Sequence, residues 1–259
     1  VLFPLYIALV ATTHTFDVLI GSTPLWFGGE FLKNFTTVLT QGLKAAGGIP
    51  VWVMMANSLV MALGIAIGKI AISITAAYAI VYFRFPGREL CFVLIFITLM
   101  MPVEVRIVPT FQVAANLNFI DSYLGLVLPL IASATATFLY RQMFMTIPAE
   151  LLEAARIDGA GPWRFFVDVV LPLSRTNTAA LFVVLFIYGW NQYLWPLLVT
   201  NQESMYTIVM GIQRMVNIPD AVPEWNLIMA VALLGMLPPL LVVLGMQKLF
   251  VRGLVETEK

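Results

Sequence analysis

Gly64, Gly68 and Lys69 occur in the string Gly64-Ile-Ala-Ile-Gly68-Lys69-Ile70. Glycines ahead of a lysine are the start of a phosphate-binding loop, in which backbone N–H groups cradle a nucleotide and the lysine reaches its outer phosphates. Here the glycines are one residue too close, no Ser or Thr follows the lysine, and the stretch lies inside an apolar run. The string therefore fails as a nucleotide site. His14 and Cys91 are the only histidine and the only cysteine. Zinc and acid–base sites need several convergent groups, and one cysteine cannot close an internal disulfide. His14 is expected in a solvated loop. What remains is charge and hydrogen bonding: Lys69, Glu104 and Arg106, the amides Asn191 and Gln192 among Tyr188, Trp190, Tyr193 and Trp195, and a charged island, EAARIDGAGPWRFFVDVVLP, at residues 153–172.

The elements that position these groups follow from composition. The 259 residues are 61% hydrophobic and 11% charged, with a mean hydropathy of +0.94. A soluble domain carries about 25% charge, so lipid is the expected solvent for this chain. Net charge is zero, with 14 basic and 14 acidic residues. That balance argues against a nucleic-acid partner, which calls for a basic face. Five apolar segments, near 53–82, 89–111, 122–145, 176–199 and 226–250, are long enough to span a bilayer as helices. The opening run VLFPLYIALVA is too short alone, has no basic flank or cleavage site, and reads as the outer half of a first span. The expected fold is an all-α integral membrane bundle of six helices, the first truncated, forming one domain over 1–259.

Arg84, Arg88, Arg141, Arg156, Arg164, Arg175, Lys248, Arg252 and Lys259 fall on one side of these spans. Lys33, Lys44, Arg106 and Arg214 fall on the other. The excess places the first side, the island and the C-terminus in the cytoplasm. Segments 12–50 and 200–225 then face outward. Gly64 and Gly68, and the string ASATAT at 132–137, are small-residue faces suited to close helix packing.

Charge inside a span calls for an account. For Lys69, three readings stay open: snorkelling along its own helix toward the cytoplasmic interface, a pathway cation for a phosphate-bearing solute, or pairing with a neighbouring chain. Glu104 and Arg106, two apart between Pro102 and Pro109, point to different helix faces. They read as structural charges at the outer rim or as an outer gate. Asn191 and Trp195 share a face at i, i+4, and Pro196 suggests a bend. This group, with Tyr188 and Gln192, is an interfacial aromatic belt or a cavity wall, and Asn191 is the first choice for lining a pathway.

Locally the island reads as helix, turn, helix. Pro148 suits a first helical position, residues 149–157 favour helix, Gly159 fits a left-handed cap, and Gly161-Pro162 marks a turn. A second helix over about 163–170 is closed by Pro172. So short a helix is marginal unless it packs on something, which leaves a docking element or an ordinary structured loop. The spacing is Glu153-Ala154-Ala155, three residues, Gly159, nine residues, Val169, one residue, Leu171-Pro172. It closely resembles the EAA motif of bacterial ATP-binding-cassette importer permeases, with Val169 where that family has Ile.

The segments FRFPGREL (83–90), MMPVEVRIVPT (100–110), SATATFLYRQMFMTIPAELLEAARIDGA (133–160), FIYGWNQYLWPLL (186–198) and FVRGLVETEK (250–259) extend the resemblance along nearly the whole chain. They are similar to the carbohydrate-uptake group of these importers, in particular to permeases that carry sn-glycerol-3-phosphate. The resemblance implies a type I importer permease with a cytoplasmic coupling helix in a bacterial inner membrane. The implied partners are a second, different permease, a homodimeric ATP-binding-cassette ATPase and a periplasmic solute-binding protein. ATP and Mg would be bound by partner subunits, with no cofactor and no catalytic residue in this chain. Glu153 would make a charge-assisted contact with the ATPase, Ala154, Ala155 and Gly159 would allow close packing and the turn, and Leu152 and Ile157 would anchor it. Leu171 and Pro172 complete the motif. The solute, sn-glycerol-3-phosphate or a related glycerophosphodiester, is implied by resemblance alone, and another sugar or polyol stays open. A self-sufficient secondary transporter would need buried coupling carboxylates, and none is seen deep in a span. A membrane enzyme would need a catalytic constellation.

Overall fold

In hydrocarbon every backbone polar group must be satisfied within its own segment, so the apolar runs become helices and their prolines decide where they break. The computed structural model describes residues 2–42, 47–98, 101–218 and 222–255, and no strand occurs among them. The helices are α1 (Leu2–Ala11), α2 (Phe16–Gly21), α3 (Phe31–Thr40), α4 (Val51–Tyr82), α5 (Arg88–Ile97), α6 (Val103–Asn116), α7 (Tyr123–Val127), α8 (Ala134–Met145), α9 (Ala149–Ile157), α10 (Pro162–Phe165), α11 (Leu171–Leu173), α12 (Arg175–Trp190), α13 (Leu194–Val199), α14 (Ile208–Val216) and α15 (Trp225–Val255).

Among the described residues, two stretches are long and apolar enough to cross a membrane as single helices: α4, and Trp225–Gln247 of α15. Two bent pairs meet the same standard when each is taken as one span. Tyr123–Leu130 meets Ala134–Met145 at 47°, and Pro162–Leu173 meets Arg175–Trp190 at 71°. The continuous helices expected at 89–111, 122–145 and 176–199 are therefore broken. Pro102 caps α6 and separates it from α5. Ser133 caps α8 through its hydroxyl oxygen, which accepts from Ala136 N, and so resets the helix direction after α7. Pro196 lies in the first turn of α13, where its missing N–H is harmless, and the chain breaks just upstream at 191–193. Pro238 and Pro239, by contrast, sit inside α15 without ending it.

The chain divides into two compact units. The first comprises Val1–Met61, Asn118–Leu126 and Trp190–Leu241. It is held by buried side-chain amides that tie loops to helices. Asn57 on α4 donates to the carbonyls of Ser204 (2.8 Å) and Tyr206 (3.0 Å) and accepts from the Tyr123 hydroxyl (2.7 Å). Beside it, Ser58 Oγ accepts from Ile208 N at the start of α14 (2.8 Å). Asn34 donates to the carbonyls of Thr12 and His14 and accepts from Asn226. His14 is half-buried, and its Nε2–H donates to the Trp26 carbonyl (2.8 Å). It is tied into the loop, contrary to the solvated residue expected. Asn57→Ala strands two loop carbonyls without donors, each worth about 1–3 kcal/mol when buried. A drop of several degrees in the melting temperature of the detergent-solubilised protein is the expected result. An unchanged melting temperature would contradict this account of the loop.

The second unit comprises Ala62–Leu117, Val127–Gly189 and Val242–Lys259. The small-residue faces pack here as expected. A Cβ on Gly64 would meet the Val127 side chain at 2.8 Å, one on Gly68 would meet Ile131 at 2.5 Å, and one on Gly189 would meet Ala62 Cα at 2.9 Å. In ASATAT, Ala136 and Thr137 are buried, and the Ser133 carbonyl accepts from Ser73 Oγ (3.2 Å).

Candidate functional site

α9 covers the residues expected, 149–157, with Pro148 as its cap and not its first helical residue. Its C-terminus closes by two backbone bonds, Gly159 N to Arg156 O (3.1 Å) and Ala160 N to Ala155 O (2.8 Å). This Schellman closure needs a left-handed residue at Gly159, which has φ +72° and open space where a Cβ would stand. No residue of α9 is buried. Glu153, Ala154 and Arg156 are exposed, and Ile157 is 87% exposed, an unusual state for a large apolar side chain at a helix end. Trp163, at 72%, is exposed in the same island.

The opposite face of α9 is turned to its own unit. Leu152 and Ala155 are half-buried and line a cleft of about 350 Å³ whose other lining residues include Tyr78, Tyr82, Phe83 and Arg84. The two apolar anchors expected together thus face different ways: Leu152 inward, Ile157 outward. The base of the island is fixed to the end of α4 by two tyrosines. Tyr78 donates to the Pro162 carbonyl (2.6 Å), and its ring lies 4.8 Å from that of Phe166, tilted by 52°. Tyr82 donates to the Phe144 carbonyl (3.3 Å) and meets Phe165 edge-on at 5.3 Å. Phe165 and Phe166 are buried. The sequence reading missed this clamp. Its one signal was a pair of tyrosines four apart at the end of an apolar run, which an interfacial belt produces equally well.

The second helix of the island differs from expectation. It starts at Pro162 and does not end at Pro172. After α10 it widens into a π turn over Phe166–Val170, where Leu171 N bonds to the Phe166 carbonyl five residues back, and continues through α11 to Leu173. Pro172 has no N–H for the Asp168 carbonyl and its ring crowds it, so the widened turn absorbs the mismatch. Leu171 is half-buried and Pro172 exposed. Ser174, buried, turns its hydroxyl back to the Val170 carbonyl (2.5 Å) at the 71° bend. Arg164 and Asp168 pair at 3.2 Å on the exposed side, a contact of about 0–1 kcal/mol.

The polar residues of the spans separate into two groups. In the second unit, Lys69 is 7% exposed, and its Nζ lies 3.8 Å from the centre of the Tyr188 ring. The ring face attracts the ammonium, a neighbour that none of the three sequence readings named. Arg106 on α6 is exposed. The side chain of Glu104 lies outside the described residues. In the first unit, Asn191 is exposed and Gln192 half-buried, both in the break between α12 and α13. The shared helical face expected for Asn191 and Trp195 is lost with that break. Trp195 is buried, and its Nε1–H donates to the Gly125 carbonyl (2.9 Å).

The family described as binding-protein-dependent transport system inner membrane component matches residues 69–256. The sn-glycerol-3-phosphate transport system permease protein UgpE of Salmonella typhimurium (strain LT2) is 56% identical over 261 residues, covering 100% of this chain and 92% of that protein. The protein of the same name from Agrobacterium fabrum is 56% identical over 260 residues, and that from Yersinia enterocolitica 57% over 263, with the same coverage of both chains. Among solved structures, a chain of a bacterial ABC transporter involved in the import of the acidic polysaccharide alginate superposes with a TM-score of 0.82 at 20% identity. The match covers 95% of this chain and 90% of that one, a likeness of fold.

Proposed function

Because this chain belongs to the family of binding-protein-dependent transport system inner membrane components, we propose that it is one of two different permease subunits of an ATP-driven importer for sn-glycerol-3-phosphate. In this reading all of 1–259 is one permease domain of six spans in the bacterial inner membrane, with its C-terminus in the cytoplasm. Its partners are a second permease, a homodimeric ATPase that binds ATP and Mg, and a periplasmic solute-binding protein. No cofactor is assigned to this chain.

The observation that carries the mechanism is the two-faced island. α9 turns Glu153, Ala154 and the apolar Ile157 to solvent, while its inner face and its base rest against the end of α4. A nine-residue helix with nothing buried is marginal alone. It is stabilised by the Gly159 closure and, in the complex, by seating in a cleft of the ATPase. When the ATPase subunits close on ATP, the seated helix must move with them. The tyrosine clamp passes that displacement to α4, and rigid-body rocking switches the pathway between inward and outward access. Glu153 supplies a charge-assisted contact and Ile157 the apolar anchor. Leu152 and Ala155 keep α9 on its own unit, and Leu171 and Pro172 shape the exit of the island. Asn191, Gln192, Tyr188, Trp195, Lys69 and Arg106 are the candidates for the pathway.

Co-expression with the three partners and reconstitution into proteoliposomes tests this. Retention of the ATPase on the tagged permease pair, and uptake of labelled sn-glycerol-3-phosphate only with ATP and the binding protein, are the expected results. Uptake by this chain alone on an ion gradient would overturn the reading.

A further inference from the structure

The cleft between α9 and the end of α4, about 350 Å³, has the size of a small-ligand site. Its walls are of two kinds. Tyr78, Tyr82, Phe83 and Phe165 supply aromatic rings, and Arg84 and Arg156 supply guanidinium groups. The tyrosine hydroxyls are committed to the Pro162 and Phe144 carbonyls. The rings therefore offer carbon surface, and polar recognition falls to the arginines. Arg84 stands just past the end of α4. Arg156 lies four residues from Leu152 on α9, so it shares the inward side of that helix and not the face that carries Ile157. Both arginines are exposed, which puts their charged ends where the cleft meets solvent. Among the described residues the ion pairs involve Lys33, Arg88, Arg141 and Arg164, never Arg84 or Arg156. Two guanidinium groups without a carboxylate, beside aromatic walls, fit an anion with an apolar body. Guanidinium forks pair naturally with phosphate oxygens. The place of the cleft selects among such anions. Tyr78 and Tyr82 lie in the last two turns of a 32-residue apolar helix long enough to span a membrane. The cleft is therefore level with the lipid headgroups, where basic pockets meet lipid phosphates.

We infer that this cleft binds the headgroup of an anionic phospholipid of the phosphatidylglycerol kind, with Arg84 and Arg156 on the phosphate and the rings against the glycerol and first methylenes. The inference takes from the importer reading only that the island lies at the cytoplasmic face. A zwitterionic lipid is the poorer ligand, because it brings its own cation to a site that already holds two. A headgroup held by both arginines bridges the end of α4 to α9. It adds a lipid link beside the tyrosine clamp, so the anionic lipid content of the membrane sets how much of the motion of α9 reaches the span.

The test titrates the complete four-component complex in detergent with phosphatidylglycerol or phosphatidylcholine and counts bound lipid by native mass spectrometry. Phosphatidylglycerol is expected to bind about tenfold more tightly, the size of one charge-assisted contact. Arg84→Gln and Arg156→Gln, at exposed positions where substitution affects folding little, each remove that preference. Arg164→Gln takes the same charge from the same island outside the cleft and leaves the preference intact. In phosphatidylcholine proteoliposomes, added phosphatidylglycerol raises solute accumulated per ATP in the wild type and not in the Arg84→Gln, Arg156→Gln double variant. Equal affinity for the two lipids, or an equal loss in Arg164→Gln, reduces the attraction to general surface charge and overturns the inference. Binding of inorganic phosphate without binding of the lipid overturns it in favour of a dissolved anion. Release of the ATPase by Arg84→Gln or Arg156→Gln at unchanged lipid affinity overturns it in favour of a segment of the ATPase. A complex that holds the lipid through both arginines yet carries no sn-glycerol-3-phosphate removes the importer reading and supports the cleft.

Discussion

Ile157→Glu is expected to lower ATP-driven uptake by about 30- to 1,000-fold, the range set by losing one interface anchor of 2–4 kcal/mol. The side chain is 87% exposed at the last turn of α9 and follows no packing requirement of its own chain. Surface substitutions of this kind change folding stability by only about 0.5 kcal/mol either way. In the complex the same position is desolvated, and a carboxylate placed there loses its water without gaining a partner. The melting temperature of the permease pair should therefore stay at the wild-type value while the ATPase no longer co-purifies. Leu152→Glu separates the two faces of the helix. Leu152 lines the cleft against α4, so its loss should lower the melting temperature as well. An Ile157→Glu complex that retains its ATPase and its uptake would remove α9 from the coupling path.

The first half of the island was legible because its constraints are local. Pro148 and Gly159 set the limits of α9, and a left-handed closure is a demand on one residue that glycine meets. The second half was not legible, because a proline acts upstream of itself. Pro172 was read as a stop, yet the helix passes through it and the disturbance falls on the preceding turn, Phe166–Val170. The same displacement explains Asn191 and Trp195. Pro196 was read as a bend at its own position, while the break it accompanies falls at 191–193 and dissolves the face the two residues were to share.

Apolar length reported which residues avoid water, and it did not report continuity. The runs at 89–111, 122–145 and 176–199 satisfy a hydropathy criterion whether or not a cap or a proline resets the helix within them. Partners distant in the chain were beyond reach in another sense. Asn57 meets Ser204 across 147 positions and Tyr78 meets Pro162 across 84, and neither residue type announces its partner. Lys69 was legible as an anomaly, since a charge in a span always asks for a counterpart. Its neighbour, the Tyr188 ring, depended on the approach of α12 to α4, where Gly189 lies against Ala62 one residue beyond Tyr188.

Tyr78→Ala is expected to leave the ATPase bound and hydrolysing while uptake falls at least about tenfold per ATP consumed, a loss of the kind that follows when a coupling element is freed. The tyrosine holds the island in two ways. Its ring packs against Phe166 at 4.8 Å, Tyr82 at 5.1 Å and Phe83 at 5.7 Å, and its hydroxyl donates to the Pro162 carbonyl. Deleting a buried aromatic ring removes about 3–5 kcal/mol, more than one turn of α10 can replace. The outward face of α9 is untouched, so docking survives and only the rigidity between the docked helix and α4 is lost. Tyr78→Phe keeps the ring and removes a hydrogen bond of about 0.5–1.5 kcal/mol, so transport per ATP should drop by about fivefold or less. The two variants together separate ring packing from the hydroxyl, measured as labelled solute accumulated against phosphate released in the same proteoliposomes. Should Tyr78→Ala move solute at the wild-type ratio, the motion of the ATPase reaches the membrane by a route other than α4.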